Sequence, residues 1–164
     1  MTNTLSDNAK TLIELSYSRC YDRLQLQASI ASAADQRALV SSTLSIAAAA
    51  LVFGALADAG SIFLRIGSAV FFSGAALFSS LSAMPGKLYS AGGTASELEK
   101  AIDDDADYHG VLLGFCQNFD LDIAENEKTA STRAHLYRFA ILLFTIGIGL
   151  ALVAFLLIGE GGRT

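Results

Sequence analysis

The sequence predicts an all-α integral membrane protein with three transmembrane helices and a cytosolic helical section. Three observations carry this. The run Phe139 to Ile158, FAILLFTIGIGLALVAFLLI, holds twenty residues with no charge and no Pro. At about 1.5 Å per residue it spans roughly 30 Å, the thickness of a bilayer's hydrocarbon core. A second uncharged run of the same length extends from Ala38 to Ala57. Charged residues make up only 16% of the chain and the mean hydropathy is +0.46, against roughly 25% charge in an ordinary soluble domain. A single Pro in 164 residues leaves long helices uninterrupted.

The elements follow in order. Residues 1–37 read as a cytosolic amphipathic helix. Ser6 or Asp7 supplies a cap for a helix starting near Asn8. Ile13, Tyr17, Cys20, Leu24, Ala28 and Ala31 recur at spacings of three and four, which makes one apolar stripe. Such a stripe lies on a membrane surface or packs against another helix. The acidic residues mixed in favour packing. No Gly or Pro separates this helix from transmembrane helix 1, residues 38–57, so the two can run on as one long helix. Ser41, Ser45 and Ala49 form a ridge of small side chains that lets a neighbouring helix approach closely.

Asp58-Ala59-Gly60-Ser61 is a turn, and transmembrane helix 2 covers residues 62–84. It carries Arg65 near its start. An Arg at mid-membrane costs about 2.5–3.5 kcal/mol on the insertion scale, but from this position it reaches the interface. Asp58 is placed to pair with it. Gly67, Ser68, Gly74, Ala75, Ser79 and Ala83 supply further small faces, and Met84-Pro85-Gly86-Lys87 ends the helix.

Residues 87–137 form the cytosolic helical section. Thr94 and Glu97 have capping-box spacing, which predicts a short helix to about Ile102. Asp103-Asp104-Asp105 and Asp107 have no fixed ligand pattern and read as a helix start favoured by the dipole rather than as a metal site. From Tyr108, the residues Leu112, Phe115, Phe119, Ile123 and Ala130 recur at helical spacing. This stripe passes without a breaker through Arg133, Tyr137 and Arg138 into transmembrane helix 3, residues 138–158.

Of the eleven Lys and Arg residues, only Arg65 and Arg163 fall outside residues 1–37 and 87–138. The positive-inside rule therefore puts the N-terminus and the 87–138 section in the cytoplasm. Cys20 and Cys116 lie in those segments, where thiols stay reduced. No signal peptide is expected, because 37 residues with four basic and four acidic side chains precede the first apolar run. The net charge of −5 argues against nucleic acid as a partner.

The chemistry of catalysis is sparse. His109 and His135 have no partner at a catalytic spacing. Gly147-Ile148-Gly149 lies inside an apolar run, where glycines serve helix contact rather than nucleotide binding. No nucleophile elbow, metalloprotease pair or zinc cluster occurs. No catalytic residue, no metal ligand and no enzymatic activity are expected. Three spans with almost no ionisable residue also argue against a transporter. An anionic ligand on the cytosolic side needs cationic or amide donors, and the candidates are Arg23, Arg37, Lys128, Arg133 and Arg138. For Arg37, Arg133 and Arg138 the simpler role is interfacial anchoring.

The junction Ala34-Asp35-Gln36-Arg37-Ala38 has the form Ala-Asp-x-Lys/Arg-Ala followed by small and aliphatic residues. It resembles the start of the Pycsar transmembrane effector family. The second span ending at Ala83-Met84-Pro85, and the passage through Asn126-Glu127-Lys128 and Tyr137-Arg138 into a last span, are similar to that layout. Arg37 stands where lysine is commoner. The resemblance covers roughly residues 30–158 and implies an antiphage defence effector of the bacterial inner membrane. In that family a partner cyclase makes cCMP or cUMP, and the effector then compromises the membrane, killing or arresting the cell. The implied partners are the cyclic pyrimidine mononucleotide, the lipid bilayer and further copies of the chain in a homo-oligomer. Asp35 and Arg37 are expected to hold the first span in register with the helix ahead of Tyr137. The alternatives are a small membrane anchor or assembly protein, or a membrane effector answering a different nucleotide signal.

Overall fold

The computed structural model describes residues 6–55, 62–84, 86–89, 100 and 107–161. Every regular element among them is an α-helix. Helix α1 is Asp7–Ala55, α2 is Ile62–Ser82 and α3 is Tyr108–Gly161. Each contains a window long and apolar enough to cross a membrane. The expected short helix after Thr94, the Asp103–Asp105 run and the Asp58 turn lie outside the described residues.

Helix α1 is 49 residues long and α3 is 54. Neither contains a Pro, so nothing removes a backbone donor along either one. The starts are capped as their side chains allow. Ser6 Oγ accepts from the amide of Ala9 at 3.3 Å, and Asp107 Oδ2 accepts from the amide of Gly110 at 3.1 Å. Helix α2 stops at Ser82, two residues before the predicted end of its span. Its last turn tightens, with the amide of Met84 donating to the carbonyl of Leu81 at 3.3 Å. Pro85 follows and disfavours a helical Met84.

The chain divides into two compact units. One comprises Met1–Ala31 with Gly86–Ala130, and the other Ser32–Pro85 with Ser131–Thr164. The boundaries within α1 and α3 fall about two helical turns before the expected starts of their apolar spans. Asp35, Arg37 and Arg133 therefore belong to the unit that holds the apolar helices.

In the first unit, Leu24, Phe119 and Ile123 are buried together, with Tyr17, Cys20, Tyr21 and Phe115 packed around them. The ring of Tyr17 lies 5.6 Å from that of Phe119 and 6.4 Å from that of Phe115. Burying Leu24 and Phe119 stabilises the unit by about 1.5–3 kcal/mol each. Glu14 lies beside His109 and Gln27 beside Asn126, so the two helical segments of this unit run parallel. The amphipathic stripe of residues 13–31 thus packs against helix, as its acidic residues favoured. The stripe differs from the predicted one at two places. Ala28 and Ala130 are exposed, whereas Gln27 is half-buried and Asn126 is buried. Counting apolar residues selects the alanines, but the helices turn the two amides inward because they bond one another.

In the second unit, packing runs through small side chains. Ser42 Oγ donates to the carbonyl of Ala76 at 3.3 Å and lies 3.0 Å from Ser80 Oγ. Ser79 Oγ donates to Ser41 Oγ at 3.3 Å. Ser42 meets Ala76 while Phe53, further along α1, meets Arg65, nearer the start of α2, so the two helices are antiparallel here. Phe72 meets Phe144 edge to face at 5.4 Å, and Phe78 lies 6.4 Å from Phe139, so α2 and α3 are antiparallel as well. Ser45, Ser68 and Ser79 are fully buried. Ser45 and Ser68 return their hydroxyls to carbonyls one turn earlier on their own helices. Without solvent exclusion to drive helices together, such close contacts supply the attraction. Arg65 sits over the ring of Phe53 at 5.4 Å, a cation–π contact within the apolar unit.

Along α3 one row of inward residues recurs every seven positions, with Cys116 and Ile123 buried beside it in the first unit. Leu112, Phe119 and Asn126 come first, and Ala140, Gly147 and Ala154 keep the same spacing further on, with half-buried Arg133 between. This is the period of a helix that keeps one seam inward. The chemistry of the seam changes along its length, from large apolar to hydrogen-bonding to small.

Candidate functional site

The polar residues expected at the membrane junction are built into the second unit by Arg133. Its guanidinium is a planar fork with donors pointing in fixed directions. Nη1 donates to Asp35 Oδ1 of α1 at 3.1 Å, and Nη2 donates in a short hydrogen bond to the carbonyl of Met84 just past α2. One side chain of α3 therefore ties all three helices of this unit. The Met84 carbonyl belongs to the last turn leaving α2, where carbonyls lack intrahelical partners and the dipole favours a cation. Both charged side chains are largely withdrawn from solvent, Arg133 more than Asp35. Arg133 is thus a bonded clamp across the helices of this unit.

Arg37 follows Asp35 by two residues, about 200° around the helix. It is exposed and makes no ion pair among the described residues. It lines an open groove of about 620 Å³ with Gln36, Val40, Leu44, Tyr137 and Phe144. The two residues of the Ala-Asp-x-Arg-Ala junction therefore stand in different surroundings. Asp35 faces the helix ahead of Tyr137 through Arg133, and Arg37 faces the groove that Tyr137 helps to line.

A second polar cluster lies in the first unit. Asn126 Oδ1 accepts from the amide of Tyr89 at 3.0 Å. Its Nδ2 donates to the carbonyl of Tyr89 at 3.0 Å and to Gln27 Oε1 at 3.2 Å. Gln27 Nε2 in turn donates to the carbonyl of Ile123 at 3.4 Å. With 2% of its surface exposed, Asn126 has every strong hydrogen-bonding atom of its amide engaged. It holds the chain that follows α2 the way a strand neighbour would, through one amide and one carbonyl of the same residue. Sequence periodicity missed this residue because it tracks apolar side chains. Its seven-residue offset from both Phe119 and Arg133 was the available signal.

The remaining cationic candidates divide. Arg23 Nη2 lies 2.6 Å from Glu127 Oε1, an exposed pair. Arg138 is exposed. His109 Nε2 is 3.6 Å from Glu14 Oε1, and His135 is exposed. Burial pushes both thiols up from their ordinary range, with the Asp120 carboxylate adding to the shift at Cys20 and Arg23 opposing it. Cys20 Sγ donates weakly to Asp120 Oδ1 at 3.9 Å. Among the described residues no group of three or more His, Cys, Asp or Glu is placed to hold a metal ion. Of the two glycines expected to serve helix contact, Gly147 does so against Phe72, and Gly149 has no atom within 4 Å of where a Cβ would stand.

Comparison with protein-family models, with curated proteins and with solved structures finds no match to this chain.

Proposed function

We propose that this chain is a non-enzymatic membrane effector of antiphage defence, activated by a cyclic pyrimidine mononucleotide, cCMP or cUMP, from a partner cyclase. Activation compromises the bacterial inner membrane and kills or arrests the cell. In this reading all three helices cross the bilayer, the N-terminus is cytoplasmic, and copies of the chain assemble into a homo-oligomer. The junction Ala34-Asp35-Gln36-Arg37-Ala38 supports the reading by its resemblance to the Pycsar transmembrane effector family.

The single observation that carries the mechanism is the continuity of α1 and α3. Each passes without a break from a segment of the first unit into an apolar segment of the second. A ligand that favours one arrangement of a packed helical unit shifts its population. No loop interrupts either helix to absorb that change. The serine-rich contacts of the second unit suit rearrangement, because bonds of this kind contribute only about 0.6 kcal/mol on average in a membrane. The bias of basic residues toward 1–37 and 87–138 supports the orientation.

The test is expression of the full chain in bacteria with a pyrimidine cyclase, or with added cCMP or cUMP, while membrane potential is followed. The expected result is rapid depolarisation that requires both the chain and the nucleotide. Intact potential at saturating nucleotide ends the proposal.

A further inference from the structure

We infer that the groove beside Arg37 holds the headgroup of an anionic phospholipid. The inference rests on the proposed reading that residues 38–57, 62–84 and 138–158 cross a bilayer. The groove is amphipathic along its length. Gln36, Arg37 and Tyr137 line it at one level, and Leu44 and Phe144 line it seven residues further along their helices. Seven residues correspond to about 10 Å of helix. The polar level coincides with the start of the apolar runs, the depth at which headgroups meet acyl chains.

Charge decides the occupant. Arg23 and Arg133 have carboxylate partners, whereas Arg37 makes no ion pair among the described residues. A guanidinium without a carboxylate is suited to two-point recognition of a phosphate. The amide of Gln36 and the ring edge of Tyr137 add polar surface beside it, and Val40, Leu44 and Phe144 offer a wall for the glycerol and the first methylenes. The volume of about 620 Å³ lies within the range of small-molecule sites. A lipid whose phosphate keeps its negative charge fits better than one whose own ammonium group neutralises it.

Native mass spectrometry of the full chain released from detergent tests this, with phosphatidylglycerol, phosphatidylcholine or free cUMP offered in parallel. One phosphatidylglycerol is expected to stay bound per chain, and Arg37→Gln is expected to lower that retention about tenfold, the effect of losing one charge-assisted hydrogen bond. Arg37→Lys should retain most of the binding, and Arg19→Gln, which removes an exposed charge of the first unit, should leave it unchanged. Equal retention by the wild type and Arg37→Gln overturns the inference. So does equal retention of the two lipids, an equal loss in Arg19→Gln, or displacement of the lipid by cUMP. Carbonate washing of membranes carrying the chain separates the two levels. Release into the wash defeats the bilayer-spanning reading itself, while a retained chain indifferent to Arg37 defeats only the lipid site.

Discussion

Gly147 and Gly149 lie two residues apart on α3, and replacing each by Ala should have opposite consequences. A Cβ at Gly147 would stand 3.0 Å from two carbons of the Phe72 ring, closer than such contacts normally come. Phe72 has little room to yield. It is 2% exposed and its ring meets that of Phe144 at 5.4 Å. Overpacking of this kind costs about 1–3 kcal/mol. Each substitution also gains helix propensity, up to about 1 kcal/mol relative to Gly. That gain is common to both variants, so the difference between them isolates the contact. Gly147→Ala should therefore be less stable than Gly149→Ala by about 1–3 kcal/mol. Thermal unfolding of the detergent-solubilised chain, followed by circular dichroism, reads the difference. Adding Phe72→Leu to Gly147→Ala should recover part of the loss by opening space. Equal melting temperatures for the two single variants would falsify close packing of α2 on α3 at this point.

Four further outcomes follow from the polar clusters and the thiols. Asp35→Ala should destabilise the chain by about 1–3 kcal/mol, below the 3–5 of a fully buried pair because part of the carboxylate is solvated and Arg133 keeps the Met84 carbonyl. Arg37→Ala should cost less than half as much, and equal costs in the same melting assay would remove the distinction between the two residues. Asn126→Asp keeps the acceptor for the Tyr89 amide but sets a carboxylate against the Tyr89 carbonyl and Gln27 Oε1, so hydrogen exchange at Tyr89 should accelerate; an unchanged rate refutes the clamp. The raised thiols of Cys20 and Cys116 predict slow alkylation by iodoacetamide at neutral pH, where little thiolate forms. A thiol raised by folding binds its proton more tightly in the folded state, so its contribution to stability is present below the unfolded value of 9.0 and is lost as pH rises through the folded values. A melting temperature that climbs between pH 9 and pH 11 contradicts that sign.

Hydropathy and the scarcity of helix breakers made the three helices legible, down to the continuity of α1 and of the segment after Tyr108. The length of each apolar run decides that question locally, without knowledge of any neighbour. Capping was also legible, since Ser6 and Asp107 act on amides within a few residues of themselves. The clamps were not. Arg133 meets Asp35 and Met84 across 98 and 49 residues of chain, and Asn126 meets Gln27 and Tyr89 across 99 and 37. A polar side chain near an apolar run has the same appearance whether it faces headgroups or a buried carboxylate. The same limit explains Ala28 and Ala130, which carry an apolar stripe only if amides are assumed to face water. Gly149 could not be told from Gly147 because the sequence does not reveal where Phe72 reaches α3.

The seven-residue seam of α3 also restricts how this chain can change in length. One residue inserted between Arg133 and Ala140 would rotate everything beyond it by about 100° about the helix axis. Ala140, Gly147 and Ala154 would leave the seam together and larger side chains would take their places. An insertion of seven shifts the phase by only about 20°, and one of eleven by a similar angle in the opposite sense. Viable length variants of this segment should therefore come in such steps, as though the helix were read in a frame of its own.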